Sequence, residues 1–185
     1  MHIKDQSLRI PKTLRKVKNL LGIFSAKGGV GKSEISLNLA LSLENSGYSV
    51  GLADADIYGP SQPTLLGASL EKIDVKDKEI LLPVIKENIK FMSMGLITKE
   101  KMPIIWRGPM VSGAVMQLLS QTDWQDLDYL IVDTPPGTGD VQLTLLQRMP
   151  ISAVIVVTTP QEVAVADTRK AIEMINKLEV PILGL

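Results

Sequence analysis

The chain has 185 residues, 45% hydrophobic and 22% charged, enough apolar material for one globular domain with a sizeable core. Twenty Lys and Arg balance twenty Asp and Glu, so neither a strongly basic nucleic-acid binder nor an acidic tail describes the whole. Cysteine is absent, which removes disulfides, thiolate metal ligands and cysteine nucleophiles from these residues.

Charge is uneven along the chain. Residues 1–20 carry six basic side chains (Lys4, Arg9, Lys12, Arg15, Lys16, Lys18) against Asp5, a net of +5, so the remainder sums to −5. No aromatic residue is interleaved with these charges, so residues 1–19 are expected to be a solvated, poorly ordered lead-in and not a nucleic-acid or membrane arm. Residues 20–185 are expected to be the folded domain. The apolar run at 20–26 is too short to span a bilayer and leads into Lys27-Gly28-Gly29 without a cleavage site. A cytoplasmic location is the expectation.

Short apolar runs separated by stretches long enough for a helix predict an α/β domain, with a mainly parallel sheet and helices on both faces. Strands are expected at residues 20–26, 49–53, 89–96, 127–132, 151–158 and 181–185, and helices at 32–45, 109–121, 140–147 and 161–178. The last helix would place Ala164, Thr168, Ala171, Ile175 and Leu178 on one face. Residues 35–43 alternate like a strand. Leu and Ala dominate them, however, and Asn38, Ser42 and Asn45 gather on one side at helical spacing, so a helix is predicted. Residues 58–88, broken by Gly, Pro and mixed charge, show no clear period.

The strongest chemical signal is Ser25-Ala26-Lys27-Gly28-Gly29-Val30-Gly31-Lys32-Ser33, between a predicted strand and a predicted helix. That is the setting a phosphate-binding loop requires. Small residues let successive N–H groups turn on a phosphate, and the helix N-terminus adds about half a positive charge. Lys32 adds a full charge, and the Ser33 hydroxyl can ligate Mg²⁺. Candidate nucleotide contacts are therefore Gly28, Gly29, Val30, Gly31, Lys32 and Ser33. Asp133 closes the apolar run 129–132 and opens Asp-Thr-Pro-Pro-Gly-Thr-Gly-Asp. This supplies a carboxylate to hold Mg²⁺, directly or through water, and a loop in which the Gly137 N–H can meet a γ-phosphate. Asp54 and Asp56 end the second predicted strand. Alternate residues of an extended chain share a side, so both carboxylates are expected to face one pocket, one toward the metal shell and one toward the attacking water. The competing plain readings are a glycine turn with an incidental lysine, and solvated acids at strand ends. Three acids in order after such a loop tell against them.

With Ala26 in place of the strict motif's first glycine, and Lys27 in addition, the loop resembles the deviant Walker A ATPases, which include the ParA, MinD and nitrogenase iron-protein families. That resemblance implies a homodimer holding two ATP molecules, with Lys27 reaching the partner's nucleotide. Four blocks narrow it: Asp54-Ala55-Asp56-Ile57-Tyr58-Gly59-Pro60-Ser61, Trp106-Arg107-Gly108-Pro109-Met110, the stretch 127–144 around Asp133, and Thr158-Thr159-Pro160-Gln161-Glu162-Val163-Ala164. Together they make residues 17–185 similar to the Mrp/ApbC family of iron–sulfur cluster carriers. The resemblance implies a slow ATPase with Lys27, Lys32, Asp56 and Asp133 in catalysis and Ser33, Asp56 and Asp133 around Mg²⁺. It also implies Asp56 on the water, Asp54 in support and Pro160 beside the adenine. The implied output is loading or release of an iron–sulfur cluster onto acceptor or scaffold proteins, with no nucleic-acid or membrane partner.

Two departures from that family are visible. Glu34 stands where a small hydroxyl residue is usual, and its carboxylate would repel an α-phosphate unless it turns to solvent or meets a cation. In the first helical turn it also complements the macrodipole. Family members continue beyond residue 185 with an adenine-reading asparagine and a C-x-x-C pair that bridges a cluster between subunits. The domain is therefore expected to be C-terminally incomplete and to lack thiolate ligands for a cluster. Competing functions are a ParA/MinD-type positioning ATPase, which would need a basic surface or a C-terminal amphipathic helix, and a non-catalytic nucleotide-binding remnant acting as an interaction module. His2 is assigned no metal role, and Trp106 and Trp124 are expected to anchor packing. Arg107 is expected to pair with a carboxylate or touch a partner subunit, and the eight scattered methionines to fill core.

Overall fold

The structure, a computed structural model, describes residues 10–77, 79–99 and 108–185. His2, Trp106 and Arg107 lie outside them. A 3₁₀ turn (Lys12–Leu14) leads into β1 (Val17–Phe24), α1 (Lys32–Asn45), β2 (Val50–Asp54), α2 (Gln62–Leu65), β3 (Val75–Lys76), β4 (Ile80–Leu81), β5 (Val84–Lys86) and β6 (Ile89–Ser93). Then follow α3 (Met94–Lys99), α4 (Gly108–Gln121), β7 (Leu127–Asp133), α5 (Asp140–Arg148), β8 (Ala153–Val156), α6 (Glu162–Lys177) and β9 (Ile182–Gly184). One seven-stranded sheet has the order β5-β6-β2-β7-β1-β8-β9. It is parallel except for the β5–β6 hairpin.

The central strands are nearly continuous apolar runs because both faces of the sheet are covered. Period-two alternation divides them. Leu20, Leu130 and Val132 face α4 and α5, meeting Val115, Leu118, Leu119 and Leu145. Phe24, Val154 and Val156 on the same side meet Ile175 of α6. Leu21, Ile23, Leu52, Phe91 and Ile131 point the other way, onto Leu37, Ala40 and Leu41 of α1. Trp124 is fully buried, with its indole N–H donating to the Leu119 carbonyl at 3.0 Å, the anchoring role expected of it. No helix among the described residues is long and apolar enough to cross a membrane.

The alternating stretch 35–43 is helical, with Ser36 and Ala40 buried and Asn38, Ser42 and Asn45 exposed. The last three bond back to carbonyls one turn earlier. Two expectations need correcting, and one region without a clear period gains detail. The strand predicted at 89–96 stops at Ser93, because the Ser93 hydroxyl accepts the Gly95 N–H at 2.9 Å and caps α3; the apolar residues Met94 and Leu96 disguise that change. The segment 58–88 carries α2, the β3–β4 pair and β5. The lead-in gives way to structure before residue 20. Leu14 is buried, Thr13 donates to the Ser120 carbonyl at 2.8 Å, and β1 starts at Val17. Lys16 and Lys18 pair with Asp126 and Asp128 at 3.1 and 2.8 Å.

Candidate nucleotide site

Parallel pairing sets the C-terminal ends of β1, β2, β7 and β8 along one edge of the sheet, the place where open α/β sheets put their ligands. The loops leaving these strands carry residues 25–31, 55–61, 134–139 and 157–161. Backbone bonds join them. Ala55 N–H donates to the Asp133 carbonyl at 2.9 Å, Thr134 N–H and hydroxyl both reach the Ile23 carbonyl, and Gly137 N–H donates to the Ser25 carbonyl at 2.8 Å.

Within residues 25–31, Gly29 and Gly31 have φ of 74° and 87°, and a Cβ built on either would meet nothing within 4 Å. The backbone is thus left-handed and open, a cradle for an anion. Gly31 caps α1, and no side chain bonds to the helix's first N–H groups; those donors remain for a ligand. Lys32, 6% exposed, pairs with the fully buried Asp133. Ser33 is half-buried in the first turn, and Glu34 is exposed, the solvent-facing placement that spares an α-phosphate.

Strand register explains the acids. Asp54 lies opposite Asp133 on β7 and Ser93 on β6, so all three side chains share the α1 face. Asp54 is fully buried, accepting from the Ser93 hydroxyl at 3.0 Å and from the N–H groups of Asp56 and Gln62 at 3.2 and 3.3 Å. Burial first, and then the charge of Asp133, push its carboxyl up to about 7, against the bonds from Asp56 and Ser93. Asp54 is thus closed off beneath Ser93 and Gln62, with the Asp56 N–H folded back onto its carboxylate, while Asp56 stands nearer the surface. Asp56 is half-buried, and its Oδ1 accepts the N–H groups of Tyr58 and Gly59 at 3.0 and 3.1 Å. It lines a cleft of about 480 Å³ that runs toward Pro136, Asp140 and Val111.

Other predicted residues fall as follows. Gly137 has φ of 108°, and its N–H, predicted to meet a phosphate, is taken by the Ser25 carbonyl in this structure. Lys27 Nζ lies 3.6 Å from Asp167 Oδ2 of α6. Gly28 is exposed, with Pro136 3.8 Å from a Cβ built on it, and Val30 is half-buried. Pro160 sits in an exposed bend before α6. One residue was missed. Gln62 is fully buried, and its Nε2 donates to both the Ser33 carbonyl and Asp133 Oδ2, at 2.8 and 3.0 Å. A lone glutamine next to a proline carries no motif signal; only its place directly after the block 54–61 pointed to it.

No group of three His, Cys, Asp or Glu side chains is assembled for a metal among the described residues. What is present suits a phosphate-bound Mg²⁺, which takes few protein ligands and keeps waters. A hydroxyl and a carboxylate stand beside the open cradle, and two polar atoms there, Ser25 Oγ and Gln62 Oε1, are buried without partners.

Fold, loop and acids together define a P-loop NTPase. Residues 16–185 match the family described as "ParA: NUBPL iron-transfer P-loop NTPase", and the chain belongs to that family. It is 49% identical over 173 residues to an iron-sulfur cluster carrier protein of Pseudomonas fragi, covering 93% of this chain and 60% of the relative. It is also 49% identical over 170 residues to the iron-sulfur cluster transfer protein NUBPL of Dictyostelium discoideum, covering 91% and 53%. The chain spans about half the length of the curated relatives it matches. Among solved structures, a nucleotide-binding protein of Archaeoglobus fulgidus in complex with ADP superposes with a TM-score of 0.80 at 35% identity, covering 99% of this chain and 70% of that one. The Mg-ADP complex of MinD from Pyrococcus horikoshii, at 20% identity and a TM-score of 0.64, covering 89% and 68%, shares the fold.

Proposed function

We propose that the chain is the nucleotide-binding part of an ATP-dependent iron–sulfur cluster carrier. The observation that carries this reading is the open loop with left-handed Gly29 and Gly31 over the α1 N-terminus, which has no side-chain cap, beside the buried Lys32–Asp133 pair. N–H groups of residues 28–33 would bind the phosphates, and Lys32 would exchange Asp133 for phosphate oxygens. Ser33, Asp133 and Asp56 would hold Mg²⁺. When bound, Mg²⁺ supplies positive charge to the phosphate oxygens as the bond to the leaving group breaks. Asp56 would orient the attacking water, and Asp54 supports it by accepting the Asp56 N–H. Gly137 N–H would leave the Ser25 carbonyl for the γ-phosphate, and Pro160 would border the adenine.

In a homodimer, Lys27 would leave Asp167 and neutralise charge on the partner's nucleotide. The relatives named as cluster carriers support an iron–sulfur cargo passed to acceptor or scaffold proteins. With no cysteine in the 185 residues, thiolates for that cargo would come from elsewhere. The reading goes with a cytoplasmic location. Phosphate release and sedimentation test it together. The unaltered chain should turn over ATP slowly and dimerise with it, and Lys27→Ala should keep ATP binding while turnover falls about 100-fold. Equal turnover by Lys27→Ala removes the trans role, and absence of any turnover by the unaltered chain removes the ATPase reading.

A further inference from the structure

Gln62 bridges three parts of the site. Its backbone N–H reaches Asp54, and its Nε2 reaches the Ser33 carbonyl at the start of α1 and the carboxylate at the end of β7. Both Nε2 partners are acceptors, so the orientation of the carboxamide is fixed; exchanging its oxygen and nitrogen would set oxygen against oxygen. Oε1 is left buried with no hydrogen-bond partner, a rare state for a buried carbonyl and one that calls for a donor.

We propose that Gln62 is a positioning residue of the metal–nucleotide site. Its Nε2 steadies Asp133 while its Oε1 accepts a hydrogen bond from a water in the hydration shell of the bound divalent cation. The inference rests on the reading of this site as one for Mg-nucleotide. Ser33 and Asp133, two of the residues that would hold the cation, are the residues Gln62 already touches. A small hard cation keeps several of its waters, and those waters are strong donors.

Gln62→Met preserves length and removes both the donor and the acceptor. A fluorescent ADP analogue is titrated against the unaltered chain and the variant, in EDTA and across a Mg²⁺ series. The expected result is an unchanged affinity in EDTA and a rise of about 10-fold in the Mg²⁺ needed for half-maximal enhancement of binding. An unchanged Mg²⁺ requirement overturns the proposal, because Oε1 is then satisfied by an ordinary buried water. Equal loss with and without Mg²⁺ also overturns it, because Gln62 is then a structural bridge alone.

A second measurement needs no variant. The Gln62 carboxamide carbon resonance of the unaltered chain should shift when Mg²⁺ is added to the ADP complex, and a resonance that stays in place overturns the proposal. Nucleotide binding by the unaltered chain that ignores Mg²⁺ would remove the metal–nucleotide reading itself. That result is distinct from a variant that behaves like its parent.

Discussion

Lys32 and Asp133 are 101 residues apart in sequence, yet they form a buried ion pair with Gln62 on the second carboxylate oxygen. Removing one partner of such a pair strands a charge, which costs far more than the pair itself contributes. Lys32→Met should therefore lower the unfolding free energy of the ligand-free chain by about 3 kcal/mol. Lys32→Met with Asp133→Asn should recover most of that loss, as urea denaturation of the full mutant cycle would measure. A double variant as unstable as the single one would place the cost in lost packing of the lysine stem. Lys32, Ser33 and Asp133 were legible in the sequence because each is a charged or hydroxyl residue at a fixed place beside a glycine loop or a strand end. The relation of Asp54 to Asp56 was not. Alternation does not record that Asp54 is fully buried beneath Ser93 and Gln62 while Asp56 is half-buried at the cleft.

At the scale of elements, the bounds of α1 were legible in full, and those of α4, α5 and α6 to within a residue at each end. Their apolar faces are long, and the flanking glycines and prolines mark their ends. The short elements between Tyr58 and Asn88 were hidden, since two to four residues are too few to show a period. At the opposite end of the sheet from the nucleotide site, Asp128 near the start of β7 ties three strands together. It accepts the Ser49 N–H and hydroxyl, each at 2.9 Å, and the Lys18 ammonium at 2.8 Å. The Lys18 bond first, and then those from Ser49, hold its carboxyl down at about 2. A carboxyl lowered in the folded state stabilises the fold above its ordinary value near 4 and loses that contribution as pH falls toward 2. Asp128→Asn should therefore melt below the parent at pH 7, and the gap should close between pH 4 and pH 2. A gap independent of pH would assign the effect to shape and not to charge.

For the molecule as a whole, one mainly parallel sheet with its central strands covered on both faces brings four loops to a single edge. Residues as far apart as Ser25 and Gly137, 112 positions along the chain, thereby share one site, and no local pattern records that juxtaposition; it follows from strand order. Fold class and family were legible because the glycine loop and the acids recur in a fixed order. The interlock that couples the loops, Gly137 to Ser25 and Gln62 to Ser33 and Asp133, joins the legible Asp133 carboxylate to backbone groups and an amide, which have no sequence signature. The absence of cysteine first excluded thiolate chemistry, and the family membership now confines that exclusion to these 185 residues. The central claim is that the loop 25–33 holds the phosphates of Mg-ATP, and calorimetric titration of Mg-ATP into the chain and its Lys32→Ala variant tests it most directly. The account predicts saturable binding of one ATP per chain that Lys32→Ala abolishes. Absence of binding at millimolar ATP, or equal binding by the variant, would contradict it.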